Sequence, residues 1–213
     1  MTGLSSNSLI FGGVIGYLIG SIPSAYLITK RHAGLDLREH GSRNIGTMNA
    51  YEVTGKKSIG SLVLVADILK GLLPVLLFEI AGYSTALLVL MPALVLGHCY
   101  PIWLKFHGGR GLATMAGASL LVNPAVVIFW LLFYLLAKRI YDDVHFGAIV
   151  ATGLIGLVLL LLPPQIIELA TIPWSGLAES GDDLRRSILI VALIILSRHI
   201  GPFLSLIRKR PTV

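Results

Sequence analysis

The sequence predicts an all-α integral membrane protein, a compact bundle of seven transmembrane helices with the N-terminus outside and the C-terminus in the cytoplasm. Three observations predict it. Of the 213 residues 55% are hydrophobic, mean hydropathy is +0.83, and only 13% are charged, about half of the ~25% usual in a soluble domain. The apolar residues recur in seven stretches, several of them near membrane-spanning length, and residues 1–213 leave no segment over for a separate soluble domain.

The first stretch, Leu9–Thr29, carries Gly12, Gly16 and Gly20 at intervals of four, a flat face against which another helix can pack closely. Ile59–Gly82 and Ala86–Leu104 follow, each near the ~20 residues that cross the hydrocarbon as a helix. Leu112–Val122 and Ala125–Ala137 are shorter and are separated by Asn123-Pro124; if they form a re-entrant hairpin, five full spans remain. Phe146–Leu162 and Ser187–Ile207 complete the set.

Orientation follows from the cations. With the N-terminus outside, Lys30, Arg31, Arg38, Arg43, Lys56, Lys57, Lys105, Arg110, Lys138, Arg139, Arg208, Lys209 and Arg210 share one side. Glu168, Glu179, Asp182 and Asp183 face the other, with only Arg185 and Arg186 as cations there. The positive-inside rule puts the first set in the cytoplasm, and the five-span alternative gives the same sidedness.

The net charge of +6 is thus a topology signal and secondarily an attraction to anionic membrane lipids, not a nucleic-acid footprint. No basic segment precedes the first apolar stretch, so a retained anchor is expected rather than a cleaved signal. The lone Cys99 excludes an internal disulfide and a cysteine-built metal site. The glycines at Gly41 and Gly46 have no Walker lysine after them, and those of the first span do not fit G-x-G-x-x-G, so no nucleotide cofactor is expected.

Ionisable residues inside the apolar stretches carry more information. Asp67 and Lys70 are three apart and share a helix face; His98 lies in the third stretch, and Arg198 with His199 in the last. Counting ~1.5 Å per residue puts all five roughly 10–16 Å below the cytoplasmic boundary. Placing Asp, Lys or Arg there costs about 2.5–3.5 kcal/mol each, so such groups face a bundle interior or a wet cavity. A structural ion pair of Asp67 with Lys70 or Arg198 competes with a functional role. For His199 beside a fixed cation, donation to an anionic oxygen is the better account.

Two cytoplasmic loops are built to meet phosphate. His107–Thr114 combines Gly108, Gly109 and Gly111 with Arg110, offering close backbone approach and positive charge, although a short glycine run at a helix junction is often just a turn. His40–Asn49 contributes Ser42, Arg43, Asn44, Thr47 and Asn49, which can bond phosphate or glycerol hydroxyls or can simply cap a helix.

These blocks stand in a recognisable order. Gly20-Ser21-Ile22-Pro23-Ser24 with Leu27-Ile28, Gly41 to Gly46, Asp67-Ile68-Leu69-Lys70-Gly71, Leu96-Gly97-His98 with Pro101, Phe106 to Thr114, Phe146-Gly147-Ala148-Ile149 and Arg198-His199 together resemble the bacterial acyl-phosphate:glycerol-3-phosphate acyltransferases. The similarity runs from about residue 12 to 208. The resemblance implies a seven-helix enzyme of the inner (cytoplasmic) membrane, without metal or other cofactor, moving an acyl group from acyl-phosphate to the 1-hydroxyl of glycerol 3-phosphate. Lysophosphatidic acid and phosphate are the products, as the first step of phospholipid biosynthesis. It implies Ser42 and His199 as catalytic residues, Gly108, Gly109, Arg110 and Gly111 as a phosphate-binding loop, and Lys70 and His98 as supports of the polar pocket; the polar and charged residues themselves add Arg43, Asn44, Asn49 and Arg198 as substrate-binding candidates. No protein partner is demanded, and a monomer is expected.

The chemistry suits such residues. Acyl-phosphate is already activated, so the site need only align a hydroxyl and stabilise the oxyanion and departing phosphate. None of the six histidines has an Asp five residues on, which argues against the thioester-using acyltransferases with a His-x4-Asp motif. Departures from the family pattern are also plain: Arg43 replaces a glycine, Glu52 stands at an arginine position, and Pro202 and Phe203 replace Asn and Ile. Arg43 is expected to make good the charge that Glu52 reverses. Two further readings stay open, a family relative with a changed acceptor or no catalysis, and a small organic-phosphate transporter. The transporter ranks last because the spans show no internal repeat.

Overall fold

A computed structural model describes residues 6–173 and 180–208. Glu179, Lys209 and Arg210, which entered the charge asymmetry, lie outside the described residues. Those described form ten α-helices and two short 3₁₀ turns, with no strand.

The first apolar stretch is not one straight helix. It divides into α1 (Ser6–Gly20) and α2 (Ser24–Ala33) because Pro23 has no amide to donate and disfavours helical geometry at Ile22. The Ile22 carbonyl freed at the break accepts from Lys70 Nζ at 3.0 Å. A short helix, α3 (Thr47–Thr54), follows the first polar loop and leads to α4 (Lys57–Ile80). Then come α5 (Leu87–Cys99), α6 (Leu112–Leu120) and α7 (Pro124–Ile140), the last with proline at its first position, where no helical amide is needed. Asp143 caps α8 (Val144–Leu161) by accepting from the Phe146 amide at 2.8 Å. The small α9 (Pro164–Leu169) has no counterpart in the hydropathy pattern. The last helix, α10 (Gly181–Arg208), begins six residues before the expected Ser187 and continues through Pro202. Its first turn carries Asp182 and Asp183, favourable at a helix N-terminus, and each pairs with an arginine three residues on.

Five helical segments are long and apolar enough to cross a membrane: Ser6–Ala33, Lys57–Ile80, Ser84–Leu104, Val144–Leu161 and Gly181–Ser205. The expected fourth and fifth spans are α6, of 9 residues, and α7, of 17. At ~1.5 Å per residue α6 reaches only about 14 Å.

Helix α5 is the centre of the bundle. Its Leu87, Leu90 and Leu94 are fully buried and join Ile188, Val191 and Ile195 of α10 in the main core. The glycine stripe of α1 packs on α5 as expected: a Cβ at Gly16 would lie 2.7 Å from the Leu90 carbonyl oxygen, so a side chain there would force the helices apart. A second cluster of Ala25, Leu37, Ile45, Ala50, Ile59, Val63 and Leu104 lies under the first polar loop and fixes it to α4. Large apolar side chains such as Leu77, Ile80, Ile128 and Leu193 point outward, as a lipid environment requires.

Candidate active site

The buried charges of the sequence converge, but not as one phosphate clamp. Asp67 Oδ1 lies 3.1 Å from Lys70 Nζ and 3.6 Å from His98 Nδ1. The predicted Asp67–Lys70 pair therefore exists, and Asp67 does not pair with Arg198. His98 Nδ1 also lies 3.1 Å from Thr114 Oγ1, tying α4, α5 and α6 together. Lys70 bonds Ile22 O and Ser24 Oγ, and lines a hollow of about 10 Å³ beside the α1–α2 break, room for about one water. It supports the pocket from behind.

The glycine loop departs from expectation in the same way. The amides of Gly108 and Gly109 donate to the carbonyls of Cys99 and His98 at the end of α5, at 3.1 and 3.0 Å. Their own carbonyls accept from Arg198, at 2.8 Å for Gly108 and 3.0 Å for Gly109. Neither glycine offers a free amide to an anion, and Arg198 spends its Nε and Nη2 on the loop. The glycines serve close approach instead: a Cβ on Gly109 would collide with the His98 ring and the Ile45 carbonyl. Gly111, at φ 83, turns the chain into α6 without a side-chain cap, which leaves the first α6 amides pointing outward from its N-terminus.

The first polar loop is knitted by Asn49, which is 1% exposed. Its carboxamide oxygen accepts from the Ser42 amide at 2.9 Å, and its nitrogen reaches the carbonyls of Asn44, His40 and Leu37. Both ends of the Asn49 carboxamide are thus bonded to the backbone of the loop. Ser42 and Arg43 are exposed on the outer turn. Arg43 adopts φ 59, the left-handed region where glycine is at home.

What the fold does assemble is a cavity of about 310 Å³ walled by Asn44, Gly46 and Thr47 of the first loop, Asp67 and His98, Arg110 and Gly111, and His199. Ser42, Arg43, Asn49, Lys70, Gly108, Gly109 and Arg198 are not among its lining residues. Arg43 thus does not bring its charge into the cavity to offset Glu52; Arg110 is the cation there. Burial pushes the Arg110 guanidinium below its usual range, as does the neighbouring Arg198, while Asp143 and Glu52 draw it back. His199 is fully buried, its Nδ1 lies 3.2 Å from His145 Nδ1, and its Nε2 has no partner among the described residues. His145 was not singled out from sequence, because nothing in its local pattern shows that α8 meets α10 at this point. Thr114 was missed as a partner of His98 for the same reason.

A family model described as glycerol-3-phosphate acyltransferase matches residues 10–209. The chain belongs to the glycerol-3-phosphate acyltransferase family. Among its relatives, the glycerol-3-phosphate acyltransferase of Clostridioides difficile (strain 630) is 38% identical over 152 residues, covering 68% of this chain and 74% of that protein. That of Syntrophotalea carbinolica is 34% identical over 185 residues, covering 86% of each. The crystal structure of PlsY (YgiH), an integral membrane glycerol 3-phosphate acyltransferase, in its glycerol 3-phosphate form superimposes with a TM-score of 0.76 at 30% identity, over 95% of this chain and 94% of that one. The lysophosphatidic acid form gives 0.74 at 28% identity. This member of the acyltransferase family is accordingly a multi-pass integral membrane protein, and phospholipid biosynthesis is the family's setting.

Proposed function

We propose that this chain transfers an acyl group from acyl-phosphate to the 1-hydroxyl of glycerol 3-phosphate, releasing lysophosphatidic acid and phosphate. The observation that carries the proposal is the cavity in which Arg110, the open N-terminus of α6 and His199 meet within one wall. A phosphate finds there a guanidinium and the N-terminus of a helix with no side-chain cap among the described residues, both favourable to anions. His199 Nε2 donates to the oxygen that becomes negative as the hydroxyl attacks the acyl carbon. The new carbon–oxygen bond forms, the carbon–oxygen bond to phosphate breaks, and the leaving phosphate takes up the hydroxyl proton. With an activated donor, alignment and charge stabilisation suffice. Ser42 and Arg43, on the outer turn, meet the phosphate of incoming glycerol 3-phosphate before it enters, and Asn44 contacts it inside.

The site faces the cytoplasm of a cell bounded by this inner membrane, with the N-terminus outside. Helices α6 and α7 complete the seven passages, or form a hairpin that leaves the sidedness unchanged. The protein works as a monomer and without a metal. The test is phosphate release from synthetic acyl-phosphate by the purified protein in detergent, together with lysophosphatidic acid formation, both dependent on glycerol 3-phosphate. Release only with another polyol or lipid acceptor would instead support a changed acceptor, which the negative charge of Glu52 toward Arg110 favours as the second reading. Uptake into proteoliposomes without turnover would make it a transporter.

A further inference from the structure

The two histidines at the meeting of α8 and α10 face each other through like atoms. His145 Nδ1 and His199 Nδ1 are 3.2 Å apart, with the rings edge to face at 5.2 Å between centroids and 63° between planes. Two Nδ1 atoms can bond only if one carries the proton and the other its lone pair, so the tautomers of the two rings are coupled. If His145 donates, His199 has its proton on Nε2; if His199 donates, its Nε2 is a bare lone pair. His199 is 0% exposed, it lines the cavity, and Nε2 is the atom without a partner among the described residues. The choice between the two tautomers therefore decides whether the unpartnered Nε2 of this cavity-lining ring is a donor or an acceptor.

The remaining charged groups indicate which is needed. Arg110 from the glycine loop and Arg198 from α10 both act on His199, and Arg110 and Asp143 act on His145. Asp143 is occupied as the cap of α8, bonded to the Phe146 amide. A cavity lined by the Arg110 guanidinium, with its carboxylate Asp67 paired to Lys70, takes an anion, and an anionic oxygen is matched by N–H rather than by a lone pair. Half-buried His145, two residues into α8 and held by its cap, is the group that can enforce this.

We infer that His145 is a positioning residue for His199: its Nδ1–H donates to His199 Nδ1, which keeps the His199 proton on Nε2 and aims a fixed hydrogen-bond donor at an oxyanion in the cavity. The inference rests on the cavity's taking a phosphorylated ligand, as proposed above. It deepens that assignment by naming the group that sets the polarity of the histidine. Removing the partner that orients a metal-bound imidazole typically costs roughly 10- to 100-fold, and a loss on that scale is expected for this pair.

Nitrogen-15 spectra of histidine-labelled protein in detergent, recorded with and without glycerol 3-phosphate, separate the tautomers directly. The expected result is a His199 ring protonated at Nε2 and bare at Nδ1; a proton on Nδ1 overturns the inference whatever the activity. Two substitutions add a functional readout. His145→Asn keeps an N–H donor without the ring, and is expected to retain the Nε2–H tautomer and most of kcat. His145→Phe keeps the ring's bulk without the donor, and is expected to lower kcat roughly 10- to 100-fold with little change in KM. The reverse ranking, Phe active and Asn inactive, would make the contact one of packing and overturn the inference. Should His145→Phe fail to fold, the wild-type spectrum still decides. If wild type transfers no acyl group, the functional proposal fails, while the spectrum continues to test His145.

Discussion

Arg198 grips the backbone of the glycine loop, Nη2 to the Gly108 carbonyl at 2.8 Å and Nε to the Gly109 carbonyl at 3.0 Å. Its guanidinium also lies over the Tyr100 ring, 5.3 Å from the centroid. A cation eighty-nine residues from Gly109 in sequence thus decides where Arg110 stands. Arg198→Lys keeps the charge but loses the planar fork. It is expected to cost about 1.5–3 kcal/mol in stability and to lower kcat/KM for acyl transfer at least tenfold. Thermal unfolding and steady-state kinetics on the purified variant check both, and unchanged kinetics would free the loop from this clamp.

Gly109→Ala puts a methyl into the space held by the His98 ring and the Ile45 carbonyl. Overpacking of this kind costs about 1–3 kcal/mol, so the variant should melt earlier and lose activity. The control Gly153→Ala, with nothing within 4 Å of the added carbon, should leave melting unchanged or raise it slightly.

Asn49→Ala removes the partner of the Ser42 amide and of three loop carbonyls. Loss of a buried hub leaves polar groups unpaired at about 1–3 kcal/mol each. The expected signature is proteolytic opening of residues 37–49 together with lower thermal stability. A rise in KM alone, with an intact loop, would make Asn49 a direct ligand instead.

Arg110 and Glu52 should act with opposite signs on phosphate. Arg110→Ala is expected to reduce kcat/KM for glycerol 3-phosphate by roughly 10²–10³, with Arg110→Lys between it and wild type. Glu52→Arg removes the anion that draws on Arg110 and should lower KM for glycerol 3-phosphate. If Glu52→Arg instead loses activity with an acceptor other than glycerol 3-phosphate, the chain has changed substrate.

Asp36 supplies the pH dependence. Its bond to the Arg38 side chain, followed by that to the Arg38 amide, lowers its carboxyl to about 2 from an ordinary 3.8. A depressed pKa gives stability that is full above the unfolded value and is lost as pH falls through the folded one. The difference in melting temperature between wild type and Asp36→Asn should be constant at neutral pH, shrink below 3.8, and vanish near 2. A difference that grows on acidification would reverse the sign and remove the pair from the loop's support.

Some of this was fixed by the order of residues alone. The membrane class, the helical architecture and the glycine face of α1 follow from hydropathy and spacing, because those properties are local and sum along the chain. The Asp67–Lys70 pair was legible because three residues bring two side chains to one helix face. The break at Pro23 was also written in the chain, through the proline's missing amide, though the long apolar run masked it. The division of labour among the polar residues was decided only by the tertiary structure. Whether Asn49, Lys70, Gly108 and Arg198 touch a ligand or each other depends on what lies across from them. So does the meeting of His145 with His199. Hydrogen-bond partners dozens of residues apart are chosen by helix packing, which fixes distances between side chains that composition and periodicity leave free.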